Sequence, residues 1–340
     1  MNMTPIAFAS DAQFIEQLKT ASFSAVYACR NSPEGLDVHI LDCGIDDESW
    51  LRYEHDIREF AEKHASCLRL ERHIIDMRIL GKCPGWTNGS RATWARVLLP
   101  DILSNDQSCV YSDCDMLFMA NPSSIISTLR DTGALIVGHM NPYGANGPDG
   151  IWFKSMGFPY DPTTYVCAGL IGMNLEELRE RHFIQGAFSF LEKHPVLASA
   201  DQTVLNWFCH GRTAVLDEGW GMFPHECCAY DGEIKALHYS GGFAWSRTKN
   251  AYDWVGRHCA RRETDLLNAF RKRIMRTNPF AVQRSAFAHQ VVGWSALQVA
   301  RLLNAVGMTF PGHPCFSEMV AKFDGKGMAL EKAEQMLFAQ

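Results

Sequence analysis

The segment Cys109–Phe118, CVYSDCDMLF, runs from an apolar stretch straight into two aspartates one residue apart, Asp113 and Asp115. An ionised carboxylate is costly to bury alone, and two on neighbouring positions repel each other. At a strand end residues i and i+2 point to the same side, so both carboxylates can reach one point in space. A hard divalent cation resolves that repulsion. Mn²⁺ or Mg²⁺ fits, because each keeps coordination positions open for phosphate oxygens. A D-x-D triplet arises by chance about once in a chain with this aspartate content, so the triplet is a weak signal in isolation. Its weight comes from its place, directly after SCVYSD and before MLFMANP.

The elements that must position such a site read as alternating strands and helices. TPIAFAS is a short buried strand, and DAQFIEQLKTASFSAVYAC follows with Phe14, Leu18 and Ala21 at helical spacing. GLDVHILDCG is a second strand, and DESWLRYEHDIREFAEKHA an amphipathic helix with an acidic start. LRLERHIIDMRIL holds a third strand, SRATWARVLLPDIL a helix, and CVYSD the next strand. This alternation predicts an α/β layered fold around a mostly parallel sheet. Ligands of such sheets bind beyond the carboxyl ends of the strands, where Asp11 and Asp113 fall. Asn141 to Tyr160 is rich in Gly, Pro and Asn and reads as a long loop bordering a site. TTYVCAGLIGMNLEELRE is a strand followed by a helix. After residue 250 strand signals fade, which divides the chain into a catalytic domain over 1–250 and a helical region over 251–340.

Composition narrows the class. The chain has 340 residues, 47% hydrophobic and 21% charged, as expected of a globular protein with one large domain or two modest ones. A net charge of −6 argues against a general nucleic-acid binder. The twelve cysteines include no C-x-x-C pair and no repeated spacing. They read as core-filling thiols of a reducing compartment. The N-terminus MNMTPIAFASDAQF lacks a basic leader, and no apolar run approaches the ~20 residues of a membrane span. The expected location is the cytoplasm, or the inner face of the cytoplasmic membrane as a peripheral protein. There is neither a G-x-G-x-x-G nor a P-loop, which removes support for the nucleotide classes those loops define.

Six stretches occur in a recognisable order: FASD at Phe8–Asp11, SRATWARVLLPDIL at Ser90–Leu103, VYSDCDMLF, YVCAGLIGMNL at Tyr165–Leu175, DQTVLNWF at Asp201–Phe208 and LHYSGGFAW at Leu237–Trp245. Together, over roughly residues 5–246, they resemble glycosyltransferase family 8, the retaining nucleotide-sugar transferases that include bacterial lipopolysaccharide galactosyl- and glucosyltransferases. The resemblance implies a GT-A fold, a UDP-hexose donor and a saccharide or glycolipid acceptor. It also implies Mn²⁺, or Mg²⁺, held by Asp113, Asp115 and His238.

The resemblance assigns further roles. Asp11 faces the uridine and also suits a helix N-cap, and Phe8 and Ala9 belong to the donor-binding set. Cys114, inside the triplet, belongs to the donor-binding set. Arg96 lies near the diphosphate and sugar. Ala168 and Gly169 offer backbone to the donor, and Gly241 lets backbone approach the diphosphate. Asp201 hydrogen-bonds sugar hydroxyls, and Gln202 sits opposite the leaving group at the anomeric carbon. An amide is a poor nucleophile, so front-face attack through a short-lived oxocarbenium-like ion pair is favoured over a covalent intermediate.

Two positions depart from the family pattern. Cys167 stands where family members commonly have Asn, and Ala244 where they have a lysine that reaches the diphosphate. Arg247 or Lys249 just downstream are the candidates to replace that lysine. Cys167 and Ala244 also motivate an alternative, a nucleotide-sugar-binding protein of the same fold without turnover. A D-x-D phosphatase is a weaker rival, because its motif normally lies in the first strand. Separately, Arg257–Arg276 places Leu266, Leu267, Phe270 and Ile274 on one helical face flanked by Arg261, Arg262, Arg271, Lys272, Arg273 and Arg276, a pattern suited to docking on anionic lipid.

Overall fold

The computed structural model describes residues 3–85, 90–223, 230, 232–240, 267 and 269–275. The chain divides into two compact units, Met1–Gly221 and Met222–Gln340. The sequence-derived boundary near residue 250 lies outside the described residues.

The first unit is built on a seven-stranded sheet in the order β3-β2-β1-β4-β7-β6-β8. Its strands are β1 (Thr4–Ser10), β2 (Leu36–Asp42), β3 (Leu68–Ile74), β4 (Ser108–Ser112), β6 (Ile136–Met140), β7 (Val166–Asn174) and β8 (Thr213–Val215). Strand β5 (Met116–Phe118) follows the aspartate triplet. β1 pairs in parallel with both β2 and β4, and β2 in parallel with β3. β7 runs antiparallel to both β4 and β6, and β6 pairs in parallel with β8. The expected mostly parallel α/β sheet is therefore present, with β7 as the reversed strand. From β1 the chain builds outward to β2 and β3, then returns to place β4 on the other side of β1. The switch point lies between β1 and β4, where open α/β sheets bind ligands. Asp11 and Asp113 each follow one of those two strands.

Helices flank the sheet: α1 (Ile15–Ala28), α2 (Asp47–Lys63), α3 (Leu99–Ile102), α4 (Ser123–Thr132), α5 (Pro142–Asn146), α6 (Pro148–Ser155), α7 (Leu175–Glu180), α8 (Phe183–Lys193) and α9 (Ala200–Phe208). α2 turns Trp50, Tyr53, Ile57 and Phe60 inward, a 3–4 residue spacing that fits its sequence pattern. Asp46 caps it by accepting from Ser49 N at 2.9 Å. β2 is buried along its whole length, as expected for an inner strand covered on both faces.

Two expectations need correction. SRATWARVLLPDIL is not one α-helix but a 3₁₀ segment, Ala92–Leu98, leading into the short α3. Pro100 has no N–H to donate to the carbonyl of Arg96, and Leu99 N donates there instead in the tighter pattern. Asn141–Tyr160, read as a loop, contains α5 and α6. Pro142 and Pro148 occupy first-turn positions where their missing N–H costs nothing, and Asn141 accepts from Gly144 N at 2.9 Å as a cap. The two helices pack closely: a Cβ on Gly150 would sit 2.0 Å from the Ala145 carbonyl oxygen. Loop-like composition here marks helix starts and a close helix contact.

In the second unit the described segment Ala236–His238 is a short strand, β9. Phe270–Ile274 forms a wide helical turn with Phe270 buried and Lys272 and Arg273 exposed. Arg271, one of the basic residues expected to flank the apolar face for lipid docking, is buried. The rest of the basic segment, apart from Leu267, Ala269 and Met275, lies outside the described residues. Among the described residues no helix is long and apolar enough to cross a membrane.

Candidate active site

β4 ends at Ser112, and Asp113 extends its ladder by one bond, with Asp113 N donating to Gly169 O at 2.7 Å. The next side chain turns back under the sheet: Cys114 is buried, its Sγ 3.2 Å from the carbonyl of Ala9. That leaves Asp113 and Asp115, neither of them buried, to face away from it. A carboxylate oxygen of each lies within 4.8 Å of the other. Burial pushes the Cys114 thiol well above its ordinary range, and the two aspartates add to that, so it carries no charge of its own.

Arg96 organises the rest. It is 2% exposed, and its guanidinium lies 4.2 Å over the ring of Tyr111. Nη2 donates to Asp113 Oδ1 at 2.8 Å, Nε lies 2.9 Å from Asp201 Oδ2, and Nη1 donates to the carbonyl of Ala168. Burial opposes the guanidinium charge, but Asp113 and Asp201 outweigh it and hold Arg96 protonated. Asp201 shows the converse balance: burial raises its pKa, and Arg96 only partly offsets the rise. One cation thus joins the last residue of the β4 ladder, the backbone of β7 and the first turn of α9.

Gln202 is fixed from both ends of its amide. Its Oε1 accepts from Ala168 N at 3.1 Å, and its Nε2 donates to Tyr165 Oη at 3.0 Å. The N–H and C=O of Ala168 are therefore both engaged, one by Gln202 and the other by Arg96. Asp11 caps the 3₁₀ turn Ala12–Phe14, accepting from Gln13 N at 3.0 Å, and also accepts from Ser90 Oγ at 3.2 Å. Phe8 and Ala9 are buried in β1. In the second unit His238 ends β9, 3% exposed, its N–H donating to Met222 O at 2.8 Å and its ring stacked on Phe223. Gly241, Ala244, Arg247 and Lys249 lie outside the described residues.

Sequence reasoning missed the residues that hold α9 in place. Asn206 accepts from Val166 N and donates to Val166 O and Gln202 O, each at 2.9 Å. It forms a side-chain bridge between α9 and the start of β7. Buried Asp149, on α6, accepts from Thr203 Oγ1 at 2.6 Å and from Ser199 Oγ. Asn206 stands in the stretch DQTVLN and Tyr165 in YVCAGL, but only contacts across the fold reveal their work. Asn206→Ala strips three hydrogen bonds from a buried position and is expected to cost about 2 kcal/mol or more. Urea unfolding of the variant measures it, and an unchanged midpoint would remove Asn206 from this role.

The chain matches the sequence model of glycosyl transferase family 8 over residues 5–248. A Haemophilus influenzae protein provisionally named a glycosyltransferase is 22% identical over 229 residues, covering 64% of this chain. This chain spans 63% of that relative's length. The galactosyltransferase LgtC, solved with donor and acceptor sugar analogs, superposes with a TM-score of 0.61 at 18% identity over 78% of this chain and 96% of that one. The bifunctional glycosyltransferase WbbM gives 0.60 at 15% identity over 85% of this chain and 52% of that one. At these identities the superpositions establish the GT-A fold, and the match over residues 5–248 establishes the lineage: the chain belongs to glycosyl transferase family 8.

Proposed function

We propose that this chain is a retaining, divalent-metal-dependent hexosyltransferase that moves glucose or galactose from a UDP-sugar to a saccharide acceptor, of a cell-surface glycan or glycolipid. The carrying observation is the arrangement of Arg96 between Asp113 and Asp201, with Gln202 locked beside it. Such an array presents a diphosphate side and a sugar side to one bound donor.

The donor atoms suit the metal. Asp113 and Asp115 supply paired carboxylates and His238 is proposed as the imidazole ligand, a set that fits Mn²⁺ or Mg²⁺. When bound, the cation supplies positive charge to a diphosphate leaving group. The chain's own residues do the rest. Arg96, kept protonated and immobile, orients the carboxylates of Asp113 and Asp201 without reorganisation during reaction. Asp201 accepts hydrogen bonds from sugar hydroxyls. Gln202 presents its amide dipole to the anomeric carbon, stabilising positive charge there without forming a bond. Asp11 lines the nucleoside end at the switch point, with Phe8 and Ala9 of β1 packed behind it. Ala168 sets the position of Gln202, and Gly169 that of Asp113. Gly241 and Arg247 are proposed to contact the diphosphate, with Arg247 standing in for the lysine absent at Ala244. Residues 257–276 are proposed to rest on anionic lipid at the inner membrane face. Co-sedimentation with anionic vesicles that weakens as salt rises is the expected sign, and no binding would remove it.

A donor panel with Mn²⁺, read by UDP release, tests the reading. UDP-glucose or UDP-galactose should be turned over, and the first-formed glycoside should be α-linked by NMR. A β product would exclude the retaining course. Metal-dependent UDP binding without turnover across the panel would instead establish the binding protein. In the same assay Arg247→Ala should slow transfer about tenfold, the ~1.4 kcal/mol of one charge-assisted contact.

A further inference from the structure

Away from these residues, the sheet edge carries a second cluster of metal-ligating side chains. β2 and β3 pair in parallel with Asp37 opposite Arg69, His39 opposite Glu71 and Leu41 opposite His73. Strand alternation therefore puts Asp37, His39, Arg69, Glu71 and His73 on one face. His39 is 2% exposed, His73 21% and Glu71 48%. His39 Nδ1 lies 3.0 Å from His73 Nε2, and Glu71 Oε2 lies 3.8 Å from the first nitrogen and 3.9 Å from the second. Ligands in a tetrahedral zinc site stand about 3.4 Å apart when the metal–nitrogen distance is ~2.1 Å. The three separations bracket that value.

The surroundings complete the arrangement. On the far side of the His39 ring, Nε2 lies 3.2 Å from Asp37 Oδ2. A carboxylate in that position suits the tautomer that leaves the Nδ1 lone pair toward the cluster, the carboxylate–histidine relation found behind metal-bound imidazoles. Asp37 also pairs with Arg69, whose charge is thereby taken up beside the cluster. Arg69 Nε lies 3.7 Å from Glu71 Oε1, which leaves Oε2 directed at the histidines. The two imidazole nitrogens face one another at 3.0 Å, close enough for a single cation to meet both.

We propose that His39 Nδ1, His73 Nε2 and Glu71 Oε2 form a second metal site, for a borderline divalent cation of the Zn²⁺ class. Two imidazoles and one carboxylate favour Zn²⁺ over the harder Mn²⁺ or Mg²⁺. In the metal-bound form each ring would be neutral, with its proton on the nitrogen that does not bind the metal: Nε2 of His39 and Nδ1 of His73. Half-exposed Glu71 leaves the fourth position to water. The cation cross-links the edge strand β3 to β2, and the site does not depend on the transferase reading.

Full-length protein titrated with Zn²⁺ by calorimetry, and with Co²⁺ by visible absorption, tests this. Wild type and Asp115→Asn should both bind Zn²⁺ at the site and give the absorption of tetrahedral Co²⁺. His73→Ala and Glu71→Gln should each weaken that binding at least tenfold and lose the Co²⁺ bands. Both positions are partly exposed on an edge strand, and Glu71→Gln keeps the side-chain volume, so the fold is expected to survive. Absence of Zn²⁺ binding to wild type overturns the proposal. Equal affinity and unchanged spectra in both variants, or a signal lost in Asp115→Asn, overturn it as well.

Discussion

Asp115→Asn is expected to lower transfer at least a thousand-fold, about 4 kcal/mol of barrier, while leaving the protein folded. The argument is electrostatic. Oxygens of Asp113 and Asp115 approach within 4.8 Å, and two carboxylates that close repel unless a cation lies between them. Neutralising one removes a repulsion from the metal-free protein and a ligand from the metal-bound one. Thermal stability without metal should therefore hold or rise, while Mn²⁺-dependent UDP binding is lost. Asp113→Asn should be as inactive but less stable, because Asp113 Oδ1 also receives Arg96 Nη2. The measurements are UDP release and a melting curve, with and without Mn²⁺. Wild-type turnover in Asp115→Asn, or in wild type with excess chelator, would end the metal-dependent mechanism.

Arg96→Met should produce the largest loss of stability among the site variants, about 3–5 kcal/mol, together with loss of transfer. Arg96 is buried and is paired with both Asp113 and Asp201. Its removal leaves Asp201, 4% exposed, without its cation. Arg96→Lys should rescue little, since one ammonium cannot reach Asp113, Asp201 and the Ala168 carbonyl together. The pH dependence has a definite sign. Burial already raises the Asp201 pKa, with Arg96 pulling it down. A carboxyl whose pKa is higher in the folded chain than in the unfolded one holds its proton longer when folded. Stability then falls as pH rises from the ordinary carboxylate range through the raised value. Without Arg96 the raised value climbs further and the window widens. The variant should therefore lose more stability than wild type between pH 5 and pH 7.5. Urea midpoints at the two pH values decide it, and an equal loss at both would exclude Asp201 as the stranded charge.

What the linear chain determined is largely what local chemistry can determine. Alternating periods of two and 3.6 residues specify strands and helices, and the aspartate pair stands where an apolar run stops. The expectation of a mostly parallel α/β sheet with Asp11 and Asp113 beyond its carboxyl ends agrees with the observed order around β1 and β4. Local rules failed where composition has two meanings. Pro142 and Pro148 read as loop residues, yet proline is equally at home in the first turn of a helix. Pro100, inside an apolar helical pattern, shifted the segment before it to 3₁₀ geometry.

Tertiary structure alone decided which charges are buried and with whom. In sequence Arg96 is one arginine in TWARV, and a solvated helix face would suit it equally well. Folding places it against Tyr111 and between Asp113 and Asp201, and the loss of water there makes its pairings strong. Asn206 and Asp149 belong to the same class, since their hydrogen bonds reach partners 40 and 54 residues away. Periodicity reports which face of an element is apolar. It carries no record of which distant polar group meets another, because that depends on strand order and helix docking. The pairing of His39 with His73 likewise exists only because β2 and β3 align in parallel register.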